Sequence, residues 1–210
     1  MTREAHPQIL ILFAHPALEK SRVNSRLAAA VKDLAGVTFN DLYEQYPEFD
    51  VDVGREQELL TGADLVILQH PFFWYSTPAL LKQWEDLVLE HGWAYGSEAT
   101  ALRGKRILSA ITAGGREEAY QREGHNRFTM AELLRPIEQT ARLCGMDWLP
   151  PFAVHGTHRM SVEQMERHAA DYRRAVEALR DGRLDLAAAR ERSRLNDDLD
   201  ALIRDGDRAD

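Results

Sequence analysis

Five short apolar runs recur along the chain, at residues 8–14, 37–42, 64–70, 105–112 and 148–154, each bounded by polar or turn-forming residues. The first, Gln8-Ile-Leu-Ile-Leu-Phe-Ala14, is apolar without alternation, the pattern of a strand covered on both faces, as in a parallel sheet. Helical periodicity fills the gaps. Residues 23–34 place Val23, Leu27, Ala30, Val31 and Leu34 on one face, with Gly36 to end the helix. Residues 78–88 carry a proline early, where its missing N–H costs little. Residues 129–143 and 161–179 predict two more helices, the second capped by Ser161 with Glu163 and Glu166 near its N-terminal end. Residues 43–54 read as an irregular, aromatic-bearing connection. Strands alternating with helices and joined by right-handed crossovers imply an α/β fold, a doubly wound five-stranded parallel sheet in the order 2-1-3-4-5.

The 210 residues suffice for one well-packed domain, which we expect over residues 1–180. Residues 181–210 form a mixed-charge, helical extension, expected to be solvated, frayed at its end or packed on a neighbour. With 26 Lys and Arg against 34 Asp and Glu the net charge is −8, which repels polyanions and argues against nucleic acid as a partner. Cys144 is the single cysteine, so no intrachain disulfide can form, and we expect it buried as a small apolar residue. No signal-peptide pattern stands at the N-terminus, and no apolar run approaches the ~20 residues of a membrane span. The expected location is cytoplasmic.

Three loops at strand ends carry the chemistry, because open α/β sheets bind ligands beyond the carboxyl ends of their strands. The first, 14–25, opens a helix; its free N–H groups together with Ser21, Arg22, Asn24 and Ser25 suit a phosphate, although an ordinary N-cap has the same look. Ala14-His-Pro16 is also similar to the motif of zinc-dependent sugar deacetylases, which needs acidic ligands directly after the proline. Ala17 and Leu18 stand there instead, so no metal is expected. The second loop sets Phe72, Phe73, Trp74 and Tyr75 between Pro71 and Pro78, which favours a flat ligand over four separate core contacts. The third, Thr112-Ala-Gly-Gly115, offers small residues where backbone can approach a ring closely, followed by Tyr120 and His125 in a polar segment. Neither a dinucleotide-binding G-x-G-x-x-G nor a P-loop is present.

Taken together, Ala14-His-Pro16, Ser21 to Asn24, His70-Pro-Phe-Phe-Trp-Tyr75, Gly92-Trp-Ala-Tyr-Gly96, Thr112-Ala-Gly-Gly115 and Cys144-Gly-Met-Asp-Trp-Leu-Pro-Pro-Phe152 resemble the flavin-dependent NAD(P)H:quinone reductases, of flavodoxin-like fold. Nearest is the branch of ancillary subunits of bacterial glutathione-regulated potassium-efflux systems. The resemblance runs through about residues 8–180. It implies FMN, with FAD as the alternative, its phosphate against Ser21, Arg22, Val23 and Asn24 and His15 close by. The ring would lie between Phe72, Phe73, Trp74 and Tyr75 on one side and Thr112, Ala113, Gly114 and Gly115 on the other. Tyr120 matches a tyrosine that hydrogen-bonds flavin or quinone. His125 matches the accompanying histidine at an interval one residue shorter, and Tyr95 matches a tyrosine given to the partner's site in a homodimer, a second such tyrosine being replaced by Ser97.

The activity so implied is ping-pong: NAD(P)H reduces the flavin, and a quinone then takes two electrons. Tyr120 and His125 are the catalytic candidates. A second reading is a regulatory subunit that activates a membrane potassium-efflux antiporter, peripheral at the inner membrane, with quinone reduction secondary. A third, a small flavodoxin-type electron carrier, would have no need of the loops at 92–96 and 116–127.

Overall fold

The computed structural model describes residues 7–204. Its parallel sheet contains β1 (Ile9–Phe13), β2 (Val37–Asp41), β3 (Leu65–Pro71), β4 (Arg106–Thr112), β5 (Asp147–Trp148) and β6 (Phe152–Val154), in the order β2-β1-β3-β4-β5 with β6 also on β4. The order is the one expected, and the fold is flavodoxin-like. The fifth expected strand is two strands. Pro150 and Pro151 lack the N–H that a ladder needs, so β5 pairs the start of β4 and β6 its end.

One face carries α1 (Arg22–Val31) and α7 (Val162–Arg180); the other carries α2 (Leu42–Gln45), α3 (Val53–Gly62), α4 (Ala79–Val88), α5 (Met130–Leu133) and α6 (Arg135–Leu143). Alternate residues of β1 serve the two layers, Ile9 and Ile11 the first and Leu10 and Leu12 the second. This is why the run is apolar throughout. The helix expected over 129–143 divides at Leu134, where Pro136 enters the first turn of α6.

The segment 43–54, expected as irregular, holds most of α2 and the start of α3. Asp41 caps α2, accepting from the Tyr43 N–H at 3.1 Å, and Asp52 caps α3, accepting from the Arg55 N–H at 3.0 Å. What hides α3 from a hydrophobic reading is Glu56, which occupies a core-facing position and is fully buried. Its carboxylate accepts from Asn40 Nδ2 at 2.8 and 3.0 Å, Tyr46 Oη at 2.7 Å and Trp84 Nε1 at 2.9 Å, and pairs with Arg55. Those donors replace the water that a buried charge loses.

Beyond α7 the charged extension folds back on its own body instead of standing in solvent. It forms α8 (Leu186–Arg190) and α9 (Leu199–Leu202), and buries Leu184, Ala189, Leu195, Leu199 and Leu202 in the core on the α1 and α7 side. Residues 205–210, expected to fray, lie outside the described residues. No helix among the described residues is long and apolar enough to cross a membrane. No group of three or more His, Cys, Asp or Glu among them could hold a metal ion.

Candidate active site

Because β1, β3, β4 and β6 are parallel, the loops that follow them open at one edge of the sheet. There they enclose a cleft of about 570 Å³. Of the expected binding residues, His15, Ser21, Arg22, Val23, Asn24, Phe72, Phe73, Trp74, Thr112 and Gly114 line it. Lys20 and Arg22 bring positive charge, and no carboxylate lies among the lining residues. At the start of α1 Ser21 caps the helix, accepting from the Asn24 N–H at 3.2 Å. An anion at this end is favoured by the helix dipole and by N–H groups without intrahelical partners.

Asn24 ties the first loop to the third. It is 1% exposed, its Nδ2 donates to Thr112 Oγ1 at 2.7 Å, and its Oδ1 is buried with no hydrogen-bond partner. A buried acceptor left open beside a cleft suits a ligand donor. His15 Nδ1 accepts from the Ala17 N–H at 3.1 Å, which leaves the proton on Nε2. Burial lowers its pKa, so the ring is a neutral donor. It packs edge-on to Phe73, centroids 5.9 Å apart.

The aromatic loop is a tight turn closed by Ser76 N–H donating to Phe73 O at 2.9 Å. Both central residues are left-handed, Trp74 at φ 50° and Tyr75 at φ 62°. That is the φ pattern of a type I′ turn, which favours Asn and Gly; bulky residues there hold strain of about 1–2 kcal/mol each. The turn presents Trp74 with 93% of its surface exposed. Tyr75 does not line the cleft; its hydroxyl donates to Asn126 Oδ1 at 3.2 Å, linking the turn to the 116–127 segment.

The glycine loop is fastened from behind. Ala113 N–H donates to Val154 O at 2.8 Å, and Gly156 N–H to Gly115 O at 2.8 Å. Neither Gly114 nor Gly115 has a positive φ, so what they offer is space. A Cβ on Gly114 would stand 2.2 Å from His158 Nε2, and one on Gly115 3.1 Å from the Tyr120 ring. Ala113 is buried behind the wall, and Gly115 bears on Tyr120.

Tyr120 is buried outside the cleft lining, packed edge-on to Phe72 at 6.1 Å and tilted against His155 at 5.2 Å. Burial pushes its pKa up, so the hydroxyl stays protonated at neutral pH. His125 is exposed on the same segment and lines no part of the cleft. Tyr95 is half-buried and lines a separate cavity of about 320 Å³ with Thr77, Glu85 and Cys144. Trp93 and Tyr95 pack partly on their own core. Ala17, Lys20, Pro71, Thr157 and His158 also line the cleft and were not anticipated. Thr157 and His158 follow the last strand within a few residues, the position that marks the other loops, and this was the signal available for them.

Residues 7–179 match the family described as having a flavodoxin-like fold. The glutathione-regulated potassium-efflux system ancillary protein KefF of Enterobacter sp. (strain 638) is 46% identical over 168 residues, 80% of this chain and 94% of that protein. Among solved structures, the general stress protein 14 of Treponema denticola, in complex with FMN, is 40% identical with a TM-score of 0.79, covering 82% of this chain and 99% of that one. The NADPH-quinone reductase of P. pentosaceus is 36% identical with a TM-score of 0.73, covering 80% and 96%. The chain belongs to the flavodoxin-like fold family.

Proposed function

We propose that the cleft binds FMN and that the protein is an NAD(P)H:quinone oxidoreductase. One observation carries the reading: a cationic, carboxylate-free rim at the start of α1 continues into a slot between aromatic side chains and bare backbone. The residues fit the group. Ser21, Arg22, Val23 and Asn24 would hold the phosphate, with Lys20 nearby; His15 Nε2–H and the open Asn24 Oδ1 supply a donor and an acceptor. Phe72, Phe73 and Trp74 would form one wall and Thr112 and Gly114 the other, with Ala113 and Gly115 completing the glycine loop and Tyr75 bracing the aromatic turn from outside the cleft. The likeness to an FMN-bound structure supports FMN over FAD.

When bound, the flavin supplies two-electron transfer between NAD(P)H and a quinone. The chain's own residues bind and orient. The neutral Tyr120 hydroxyl takes no part in the hydrogen bonds found among the described residues, and would donate to the bound ring or the quinone; His125 is the second candidate donor. A fixed donor where charge develops lowers a barrier with little reorganisation. Trp74 offers a flat apolar face to the two substrates in turn, hence ping-pong kinetics. Heat release of the bound cofactor, run against FMN and FAD standards, tests the assignment. Gly114→Val is expected to lose the cofactor, and full occupancy in that variant would remove the glycine loop from the site.

We further propose a homodimer in which Tyr95 serves the partner's site. Tyr95 lies away from its own cleft, and Trp74, Tyr75, Leu87, Phe128 and Leu143 are large apolar residues left exposed. The likeness to KefF supports a role as ancillary subunit of a potassium-efflux antiporter, docked at the cytoplasmic face of the inner membrane. Co-purification with such an antiporter tests that role independently of turnover.

A further inference from the structure

The extension beyond α7 lies outside the 7–179 stretch that carries the family match, yet one of its side chains reaches the segment that bears Tyr120. Its register is fixed on the sheet edge. Leu195 N–H donates to Pro151 O at 2.9 Å, and the Asn196 amide brackets Ala153 in β6, accepting from its N–H and donating to its C=O, both at 2.9 Å. The side chain thus imitates a neighbouring strand. With Leu195 and Asn196 pinned, Arg194 is held at the next position, only 18% of its side chain exposed. Its Nε donates to Asp197 Oδ1 at 2.7 Å, and its Nη2 to Glu117 Oε1 at 2.8 Å. Glu117 begins the 3-10 turn Glu117–Tyr120. A guanidinium can engage two carboxylates at once in fixed directions, which gives the contact more definition than an ordinary exposed pair.

The same cation lies near His155, the ring against which Tyr120 packs. Burial first, and Arg194 second, hold the His155 pKa down, against Glu117, Asp197 and Glu118, which raise it. His155 is thereby kept neutral, and Tyr120 rests between it and Phe72.

We infer that Arg194 is a positioning residue: through Glu117 it fixes the Glu117–Tyr120 turn and so the place of the Tyr120 hydroxyl at the site. This rests on the proposed role of Tyr120 in quinone reduction, so the test has one arm that needs no turnover. In the full-length protein loaded with FMN, Arg194→Ala is expected to lower kcat/KM for menadione by about 3- to 30-fold, within the range seen for coupled positions. In a Tyr120→Phe background the same substitution should change kcat/KM little, because the hydroxyl it positions is gone. Glu117→Gln, at a half-exposed site, should reproduce the effect. Backbone hydrogen exchange over residues 116–127, measured with and without FMN, should quicken in both variants. Equal losses in the wild-type and Tyr120→Phe backgrounds would make Arg194 merely structural, and unchanged exchange would overturn the clamp. A wild-type protein that retains FMN but does not reduce menadione would sink the proposed function instead, leaving the exchange measurement to decide the clamp.

Discussion

Trp74 and Tyr75 occupy backbone that L-residues avoid, and the strained turn they form sets Trp74 at the mouth of the cleft. Asn tolerates left-handed φ, and Trp74 buries almost nothing that its removal would forfeit. Trp74→Asn is therefore expected to stabilise the fold by about 1 kcal/mol while weakening ligand stacking. Urea unfolding and an FMN titration would check both halves; a destabilised variant would mean that the turn is not strained. Tyr120→Phe keeps the ring and its packing but removes the hydroxyl. Cofactor retention should be unchanged and turnover slower, by less than the ~10²–10³ that a buried oxyanion donor commands. Wild-type rates in stopped-flow reduction by NADPH would assign Tyr120 to packing alone. At this scale the sequence showed which residues meet at the cleft, because each strand end advertises its loop. It did not show that Tyr75 and Tyr120 stand outside the lining of the cleft, which depends on backbone dihedrals and on the neighbours Asn126 and His155.

The elements themselves were legible where burial is two-sided or the amphipathic face is apolar, as for β1, β3, α1 and α7. They were obscure where a polar group does the work of an apolar one. In α3 the core-facing Glu56 breaks the periodicity, and only its donors on β2, just after α2 and on α4 explain why it can be there. In the extension, apolar residues are spaced too irregularly to mark a helix face, because two short helices and a turn each contribute one or two to the core. There Asn196 is the decisive anchor. Asn196→Ala would leave the N–H and C=O of Ala153 without their side-chain partners, at an expected cost of about 1–3 kcal/mol by chemical unfolding. A change within a few tenths would mean that water or the sheet takes over both bonds.

For the molecule as a whole, two titratable groups, one fully buried and one half-buried, act on stability with opposite sign. His70 is fully buried, its Nδ1–H donates to Pro71 O at 2.9 Å, and burial takes its pKa from 6.5 down to about 4. Between those values the unfolded chain binds a proton that the folded one refuses, so stability falls as pH drops from 6.5 toward 4. Glu85 lines an apolar cavity on the α4 and α6 side, and burial raises its pKa from 4.5 to about 7, opposed by Lys82 and aided by Asp86. Here the folded chain holds the extra proton, so stability falls as pH climbs from 4.5 to 7. Each effect is on the order of 3 kcal/mol over its full window, and they oppose each other between pH 4.5 and 6.5. Glu85→Gln should expose the histidine alone: stability rising from pH 4 to 6.5 more steeply than in wild type. Identical slopes by urea unfolding would contradict the assignment of Glu85.

The most direct test of the central claim, that the cleft makes this chain an FMN-dependent quinone reductase, is a redox cycle on the purified protein loaded with FMN and freed of excess. Under anaerobic conditions NADPH or NADH should bleach the yellow absorbance of the bound cofactor, and menadione should restore it stoichiometrically, over repeated additions. A protein that retains no FMN, or whose bound FMN neither nucleotide reduces, contradicts the account.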